Sequence, residues 1–402
     1  MLLKRSLMAV AVVAAMFVAG GSGARPVGAA VAIPPVGTSD FGEFTPLSPA
    51  RILDTRSGNG GRSTALGPRT TYDVQVTGRG GVPGSGVSSV VVNVTVTAPS
   101  EASFVSVFPA GGTRPATSTV NVTPNRTVPN LAIAKIGAGG KVSVYNDSGN
   151  AHVILDVVGW FGNSSALGQA ARLKTLSPVR LLDTRNSGSI GANSSIAVQV
   201  AGRVGVPSNA VGVIANITAT GATAGTYITA YPNDVATPTA SNINIGPGET
   251  IPNLAMVRLA ADGQMRLYNF AGNTHVIVDV VGYFVRDYSS AAGEVYPVTP
   301  ERILDTRPLG PLGSGVAGSV QIPVSGVGGI IANITVTNPT QSSYFTVYPE
   351  AAAPPTASNL NFGPGQTVAN LVVVPLPSSG VVYGYNFAGQ MNLIVDVVAV
   401  VS

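Results

Sequence analysis

The sequence predicts an all-β protein: three tandem β-sandwich modules, jelly-roll-like and of about eight strands each, after an N-terminal signal peptide. Three observations predict it. One set of sequence strings recurs three times, apolar and polar residues alternate with period two inside these segments, and 49 Gly and 30 Pro accompany only 10% charged residues. This composition suits many short strands joined by turns. The lack of cysteine excludes a disulfide framework and a thiolate zinc site.

Composition also narrows the classes of function. With 45% hydrophobic residues the chain is too apolar to be disordered. Its formal charge of +4 includes Lys4 and Arg5, and the rest of the chain has no block of basic residues. We therefore expect no nucleic-acid partner, since such binding needs a basic patch.

The first residues have the pattern of a secretory signal peptide, assigned to residues 1–24. A basic start is followed by an apolar run over 7–19 and by Ser22-Gly23-Ala24, a small-x-small cleavage site. Cleavage near Ala30 and an uncleaved membrane anchor are the alternatives, but the run is shorter than the ~20 residues that a span needs. We expect a secreted, extracellular protein, either free or associated with the cell wall, with no transmembrane anchor after cleavage and a linker over 25–44.

Two strings mark three copies of one module, at 45–161, 173–285 and 296–402. The opening string reads RILDTR at 51–56, RLLDTR at 180–185 and RILDTR at 302–307. The closing strings are VILDVV at 153–158, VIVDVV at 276–281 and LIVDVV at 393–398.

The spacing inside each copy separates a fixed half from a variable half. Asn93 to Asp156, and both equivalent pairs, span 63 positions, whereas the opening Asp lies 39, 33 and 28 positions before that Asn. The back half therefore predicts a fixed scaffold. The front half carries a loop of variable length, which we expect on the surface.

Alternation within the strand around Asn93 predicts one apolar and one polar face. Val90, Val92 and Val94 share one face, and Asn93 and Thr95 share the other, which we expect to face solvent. A trefoil or small barrel is the alternative to a sandwich. A single propeller is disfavoured because a blade takes about 40 residues. We expect three separate modules on short linkers, each with its own core.

These strings together resemble a repeat of secreted actinobacterial proteins whose role is largely uncharacterised. Its marks are the R-[IL]-L-D-T-R opening, an N-[VI]-T strand, an aromatic-Pro turn, a T-[VI]-[PA]-N-L strand and a D-V-V-G-[WY]-F close, over about residues 45–402. The resemblance implies a bacterial, exported protein and implies no particular reaction or ligand. The third copy departs from it by ending in Ala399-Val400 where the others have Trp160-Phe161 and Tyr283-Phe284, so its closing aromatic contact is in doubt.

Charged residues recur at fixed places and are interpreted as structural ion pairs. Asp and Arg two apart on a strand share a face, and we expect Arg56 to pair with Asp156. A calcium or ligand role is the alternative, but arginine neighbours disfavour cation binding. The candidates are Asp54, Arg56, Asp156, Asp183, Arg185, Asp279, Asp305, Arg307 and Asp396.

Recurrent aromatic and amide side chains are the candidates for ligand binding, because sugar rings stack on exposed aromatic rings. Core filling is the favoured interpretation of these rings, and exposed ligand-binding rings are the alternative. One aromatic residue per copy precedes Pro at a strand end, where exposure is more readily expected. The candidates are Phe108, Tyr231, Tyr348, Asn93, Asn216 and Asn333.

No catalytic residue, metal site or cofactor is predicted. His152 and His275 recur but Asn392 replaces them in the third copy, so neither a triad nor a zinc site recurs. We expect a secreted, non-catalytic surface or matrix protein for adhesion, in contact with cell-wall or extracellular polysaccharide or with surface proteins. The alternatives are a structural envelope spacer without a soluble ligand, and a cell-wall hydrolase.

Overall fold

The structure, a computed structural model, describes residues 42–162, 171–286, 293–322, 327–349, 354–355 and 357–402, together with two short strands at 16–18 and 25–26. Apart from those two strands, the predicted signal peptide (1–24) and the linker (25–44) lie outside the described residues as far as residue 41. Within the part that is described, the chain forms β-strands, turns and two short 3-10 segments, and no α-helix. The all-β prediction is confirmed.

Each repeat contributes eight strands. Repeat 1 has β3 Glu43–Asp54, β4 Thr70–Gln75, β5 Val87–Thr97, β6 Ser103–Pro109, β7 Val120–Val122, β8 Val128–Lys135, β9 Lys141–Asn146 and β10 His152–Gly162. Repeat 2 has β11 Arg172–Asp183, β12 Ser194–Gln199, β13 Ala210–Thr220, β14 Thr226–Pro232, β15 Ile243–Ile245, β16 Thr250–Arg258, β17 Gln264–Asn269 and β18 His275–Val285. Repeat 3 has β19 Val295–Asp305, β20 Val316–Gln321, β21 Gly329–Thr337, β22 Ser343–Tyr348, β23 Leu360–Phe362, β24 Val368–Pro375, β25 Val381–Asn386 and β26 Asn392–Val401. The strands β1 Met16–Val18 and β2 Arg25–Pro26 precede them.

Six small antiparallel sheets form a propeller-like ring. An inner sheet in each repeat takes the first, eighth, third and sixth strands in that order, as in β3-β10-β5-β8, and an outer sheet takes the second, seventh, fourth and fifth, as in β4-β9-β6-β7. In repeat 3 the outer sheet continues through β20 to β1 and β2. The jelly-roll-like sandwich within each repeat stays a prediction. The sequence disfavoured a propeller of blades of about 40 residues, whereas in this ring each longer repeat supplies two sheets.

Each repeat has an apolar core between its inner and outer sheets. In repeat 1, Val92 and Val94 of β5 lie in one cluster with Val105 of β6 and Val144 of β9, all fully buried. Repeats 2 and 3 have equivalent clusters. Period-two alternation predicted these inward residues because successive side chains of a strand point to opposite faces.

A fourth apolar cluster lies between the three inner sheets, where solvent was expected. It contains residues from all three repeats, among them Val91, Ile214 and Ile331, all fully buried. Asn93 and Thr95 share this face and are 1% and 2% exposed. The expectation of a polar outer face is therefore wrong. An inner strand is buried on both faces, which is why it reads as a nearly unbroken apolar run.

The repeats are not separate modules on a string. Phe44 exchanges two backbone hydrogen bonds with Ala171, and Leu173 exchanges two with Gly293. The Val295 N–H donates to Gly42 O at 2.9 Å and closes the circle between the third repeat and the first. The three first strands therefore hold one another by backbone pairing at one end of the ring.

Repeat 3 has smaller side chains at the aromatic positions of repeat 1 and a larger one at the glycine position. Counted from the closing aspartate, Ala399 takes the place of Gly159, and Val400 and Val401 take the aromatic places, one position later than the sequence comparison had assigned. A Cβ on Gly159 would lie 2.4 Å from the Phe44 ring. Val295 occupies the place of Phe44 in repeat 3, so the smaller side chain accompanies an alanine.

The contact between Phe44 and Gly159 predicts that substitutions at the two positions have coupled effects on stability. Gly159→Ala should lower the free energy of unfolding by about 1–3 kcal/mol, because the added methyl group overpacks the Phe44 ring. In Phe44→Val/Gly159→Ala the total loss should be smaller than the sum of the two single losses by about 1 kcal/mol. Urea unfolding of the four proteins measures the coupling, and strictly additive losses would contradict the compensation.

Candidate functional site

The recurrent charged and amide side chains form one row across each inner sheet. In repeat 1 the register places Arg51 and Asn93 on either side of Asp156, and Asn93 opposite Leu131. The same row recurs as Arg180-Asp279-Asn216 and as Arg302-Asp396-Asn333. The constant spacing of 63 positions thus joins two residues that face each other on neighbouring strands.

Arg51, not Arg56, pairs with the buried aspartate. Its guanidinium donates to both oxygens of Asp156, at 2.8 Å from Nε and 3.1 Å from Nη2. Arg180 holds Asp279 and Arg302 holds Asp396 in the same two-pronged way. The expected pair of Arg56 with Asp156 is therefore wrong, since Arg51 lies directly opposite Asp156 on the adjacent strand.

The second arginine of each opening string folds back on its own aspartate. The Nε of Arg56 donates to Asp54 at 2.9 Å and its Nη2 at 2.8 Å, and the backbone N–H of Arg56 donates to the same carboxylate. Asp183 with Arg185, and Asp305 with Arg307, repeat this loop contact. The two-residue spacing closes a tight turn after the strand.

Burial and ion pairing shift the pKa values of these carboxyl groups in opposite directions. Burial raises the pKa of Asp156 and Asp396 above the usual value, although their arginines oppose the rise. Hydrogen bonds from Arg56 lower the pKa of Asp54, and those from Arg185 lower the pKa of Asp183 to about 2. The loop aspartates are therefore charged acceptors at neutral pH.

The row also reaches across to the next repeat. The Nη2 of Arg51 donates to Thr239 O of repeat 2 at 2.8 Å, and that of Arg302 donates to Ala116 O of repeat 1 at 3.4 Å. A guanidinium has five N–H donors, so one group can hold a carboxylate and a neighbouring carbonyl together. The charged row thus joins repeats as well as strands.

Six asparagines form the buried contact between repeats, and we call them the interface asparagines. Asn253 Nδ2 donates to Asn93 Oδ1 at 3.2 Å, and the Asn370–Asn216 and Asn130–Asn333 pairs repeat the bond at 3.0 and 2.8 Å. All six are at most 4% exposed. They are Asn93, Asn130, Asn216, Asn253, Asn333 and Asn370.

Backbone groups of neighbouring repeats complete this network. Asn93 Nδ2 donates to Ser241 O, Asn216 Nδ2 to Ser358 O and Asn333 Nδ2 to Ser118 O. Asn370 Oδ1 accepts from Leu254 N, and Asn130 Oδ1 accepts from Leu371 N. The predicted ligand candidates Asn93, Asn216 and Asn333 are therefore not open to a ligand, because protein groups occupy them.

The predicted aromatic ligand residues are buried as well. Phe108, Tyr231 and Tyr348 are 4%, 2% and 4% exposed. The Tyr231 hydroxyl hydrogen-bonds to Thr237 Oγ1 at 2.9 Å, in the loop after the strand. The three rings are therefore buried, as the favoured interpretation expected, and the alternative of exposed ligand-binding rings is wrong. At Tyr231 the loop after the strand supplies part of the cover.

The recurrent histidines lie against the opening string. His152 Nδ1 is 3.0 Å from Thr55 Oγ1, and His275 Nδ1 is 3.0 Å from Thr184 O. In repeat 3, Thr306 Oγ1 donates to Asn392 Oδ1 at 3.4 Å. An amide takes the place of the imidazole, which indicates a packing contact.

Exposed aromatic side chains occur elsewhere, at positions that the sequence did not single out. Phe270 is 51% exposed and Phe387 is 53% exposed. Each ring stacks on a tyrosine, Tyr227 or Tyr344, with centroids 4.8 and 4.9 Å apart. The two phenylalanines stand at equivalent positions of repeats 2 and 3, and this recurrence could have identified them from the sequence. Repeat 1 has Asp147 at that position, so the recurrence does not extend to all three repeats.

The described residues contain neither a metal-binding cluster nor a membrane-spanning helix. No three His, Cys, Asp or Glu side chains within the described ranges are placed to hold a metal ion. No helix in that part of the chain is long and apolar enough to cross a membrane.

No protein-family model and no curated protein sequence matches the chain. Among solved structures, the chain is similar to a triple jelly-roll structure from the turret assembly of an archaeal virus, with a TM-score of 0.20 and 10% sequence identity. The match covers 91% of this chain and 97% of that one. A TM-score this low carries no argument about fold or function.

The interface asparagines predict a large stability loss on truncation. Asn253→Ala removes the donor to Asn93 Oδ1 and to Asn242 O and leaves buried acceptors unsatisfied. The free energy of unfolding should fall by at least about 2 kcal/mol. Asn273→Ala, at an exposed position of the same repeat, is the control and should change it by at most about 0.5 kcal/mol. Equal urea midpoints for the two variants would refute the assignment.

The lowered pKa of Asp183 predicts a pH dependence. Its folded pKa of about 2 lies below the unfolded value of about 4, so the carboxylate stabilises the fold above about pH 4 and that contribution is lost as the pH falls towards 2. Asp183→Asn should cost about 1 kcal/mol at pH 7, a figure reduced for solvent screening of a half-exposed arginine. Urea titrations between pH 7 and 2.5 should show the difference shrinking; a constant difference would contradict it.

Proposed function

We propose that this chain is a secreted, non-catalytic surface or matrix protein that contacts cell-wall or extracellular polysaccharide. The observation that carries the proposal is the exposed ring pair of repeats 2 and 3, Phe270 on Tyr227 and Phe387 on Tyr344. A half-exposed phenylalanine gives up much of the free energy of burial, so its recurrence at one place indicates a contact surface. Sugar rings present C–H faces that pack on such rings.

The pairing of the acidic groups supports a non-catalytic role. The inner aspartates each accept two bonds from an arginine, and the loop aspartates accept from the arginine two positions later. A general acid or base must exchange its proton with substrate. Carboxylates held in this way favour structure over proton transfer.

We also propose that each repeat is a β-sandwich of the jelly-roll type. Two observations support this. Each repeat contributes four strands to each of two sheets around one apolar cluster. The first, eighth, third and sixth strands share one sheet while the second, seventh, fourth and fifth share the other, the strand order that two nested Greek keys produce.

A structural spacer in the cell envelope is the second candidate. It is favoured by the continuous apolar contact of the three inner sheets, which makes the repeats one body. A spacer needs rigidity and self-association rather than a soluble ligand. Concentration-dependent light scattering of the purified protein separates it from the first proposal.

Co-sedimentation with insoluble peptidoglycan, cellulose and chitin tests the proposed function. We expect the chain to pellet with at least one polymer and to release no reducing sugar from it. Release of soluble reducing ends would overturn the non-catalytic assignment. Failure to pellet with any polymer, together with ordered self-assembly, would favour the spacer.

A further inference from the structure

A surface cleft lies where repeats 1 and 2 meet. Its volume is about 330 Å³, and residues 125–127 of repeat 1 line one side. Repeat 2 supplies the other side, including Tyr227, Asn244, Glu249 and Phe270. The exposed ring pair is therefore one wall of a cleft formed by two repeats, not an isolated surface patch.

Stacking on tyrosine holds the exposed Phe270 ring in the wall of the cleft. The planes of Tyr227 and Phe270 are only 14° apart, and Tyr268 tilts against Tyr227 at 6.2 Å. Tyr227 is half-buried beneath Phe270, whose other face is in solvent. Stacking on a held tyrosine fixes the exposed ring and lowers the entropy that a ligand must remove on binding.

The polar side of the cleft is balanced in charge. Arg126 Nη2 and Glu249 Oε1 form an ion pair at 2.5 Å across the interface. The same carboxylate accepts the backbone N–H of Gly246 at 2.7 Å, and Asn125 and Asn244 add amide groups. Paired charges with amides suit hydroxyl groups rather than an anion or a cation.

Repeat 3 carries an equivalent ring pair, and the equivalence of the repeats puts this pair beside repeat 2, where Asn370 and Ser358 of repeat 3 bond to Asn216. Tyr344 and Phe387 stack at 4.9 Å and 16°, with Tyr385 tilted beneath at 6.2 Å. Gln366 takes the place of Glu249 and accepts the backbone N–H of Gly363 at 2.8 Å. The polar group changes from a carboxylate to an amide while the rings keep their geometry.

The interface of repeats 3 and 1 lacks the open ring. Asp147 stands where Phe270 and Phe387 stand, and it accepts the Tyr145 hydroxyl bond at 2.9 Å. Arg114 lies over the Tyr145 ring at 4.3 Å and covers its face. This interface is thus a natural control within the same molecule.

We propose that the interfaces of repeats 1 with 2 and 2 with 3 are binding sites for neutral pyranose units of a polysaccharide. The sugar face packs on Phe270 or Phe387, and its hydroxyl groups bond to the amide and paired side chains beside the ring. This assignment rests on the proposed function and adds the two sites and the ligand class. Two sites on one chain strengthen contact with a polymer by linkage.

Calorimetric titration of the whole chain with cellotetraose, chitotetraose and mannotetraose tests the assignment. We expect binding of at least one tetrasaccharide, with two sites per chain. Phe270→Ala/Phe387→Ala should lose at least about tenfold in affinity, while Phe270→Tyr should keep its site. Leu309→Ala, which removes an exposed apolar side chain elsewhere (43% exposed), should bind as the unaltered chain does.

The third interface supplies a gain of function. Asp147→Phe should add an open ring and raise the number of sites from two towards three, with unchanged thermal unfolding as the check on folding. Sedimentation with polysaccharide that survives Phe270→Ala/Phe387→Ala would overturn these sites and leave the proposed function standing. No binding of any sugar or polymer would overturn both. Ring-dependent binding of a proline-rich peptide in place of sugar would overturn the ligand class.

Discussion

The ring of amide hydrogen bonds between repeats is the interaction on which the rest of the structure depends. A buried amide is costly unless it is bonded, and the interface asparagines find part of their partners only in a neighbouring repeat. Around them the apolar faces of the three inner sheets are buried against one another. One repeat alone would expose that apolar face and leave Asn93 or Asn216 unsatisfied. The closed ring is therefore the arrangement that buries this face and satisfies these amides.

This constraint explains where the repeats are alike and where they differ. The Arg-Asp-Asn row lies on the inner sheet, where each residue faces a partner strand and the next repeat, so its spacing is fixed. The segments between the opening string and the third strand contain none of the Arg-Asp-Asn row, and their lengths differ between the repeats. Surface loops tolerate such change at small entropic cost.

Sequence reasoning predicted the strands and the inward residues, because period-two alternation is a local property. It did not predict the second buried face, since the partner of Asn130 is Asn333, 203 positions away in another repeat. The run Val90-Val91-Val92-Asn93-Val94 was nevertheless too apolar for a half-solvated strand. For Tyr231, the Pro that follows marks the strand end correctly, but the direction of the next loop decides burial. The exposed rings could be predicted only by aligning Phe270 and Phe387 at one position, where repeat 1 has Asp147.

Joining three repeats in one chain lets equivalent interfaces diverge. In a symmetric homotrimer any substitution appears at every interface. Here Phe44 lies against Gly159 in repeat 1, whereas the smaller Val295 and the larger Ala399 stand at the equivalent positions of repeat 3. The sizes at the two positions have thus changed in opposite directions. In the same way Asp147 bonds a tyrosine at one interface while Phe270 and Phe387 leave rings in solvent at the others. The ring supplies the stability, and single outward positions are left free to differ in what they contact.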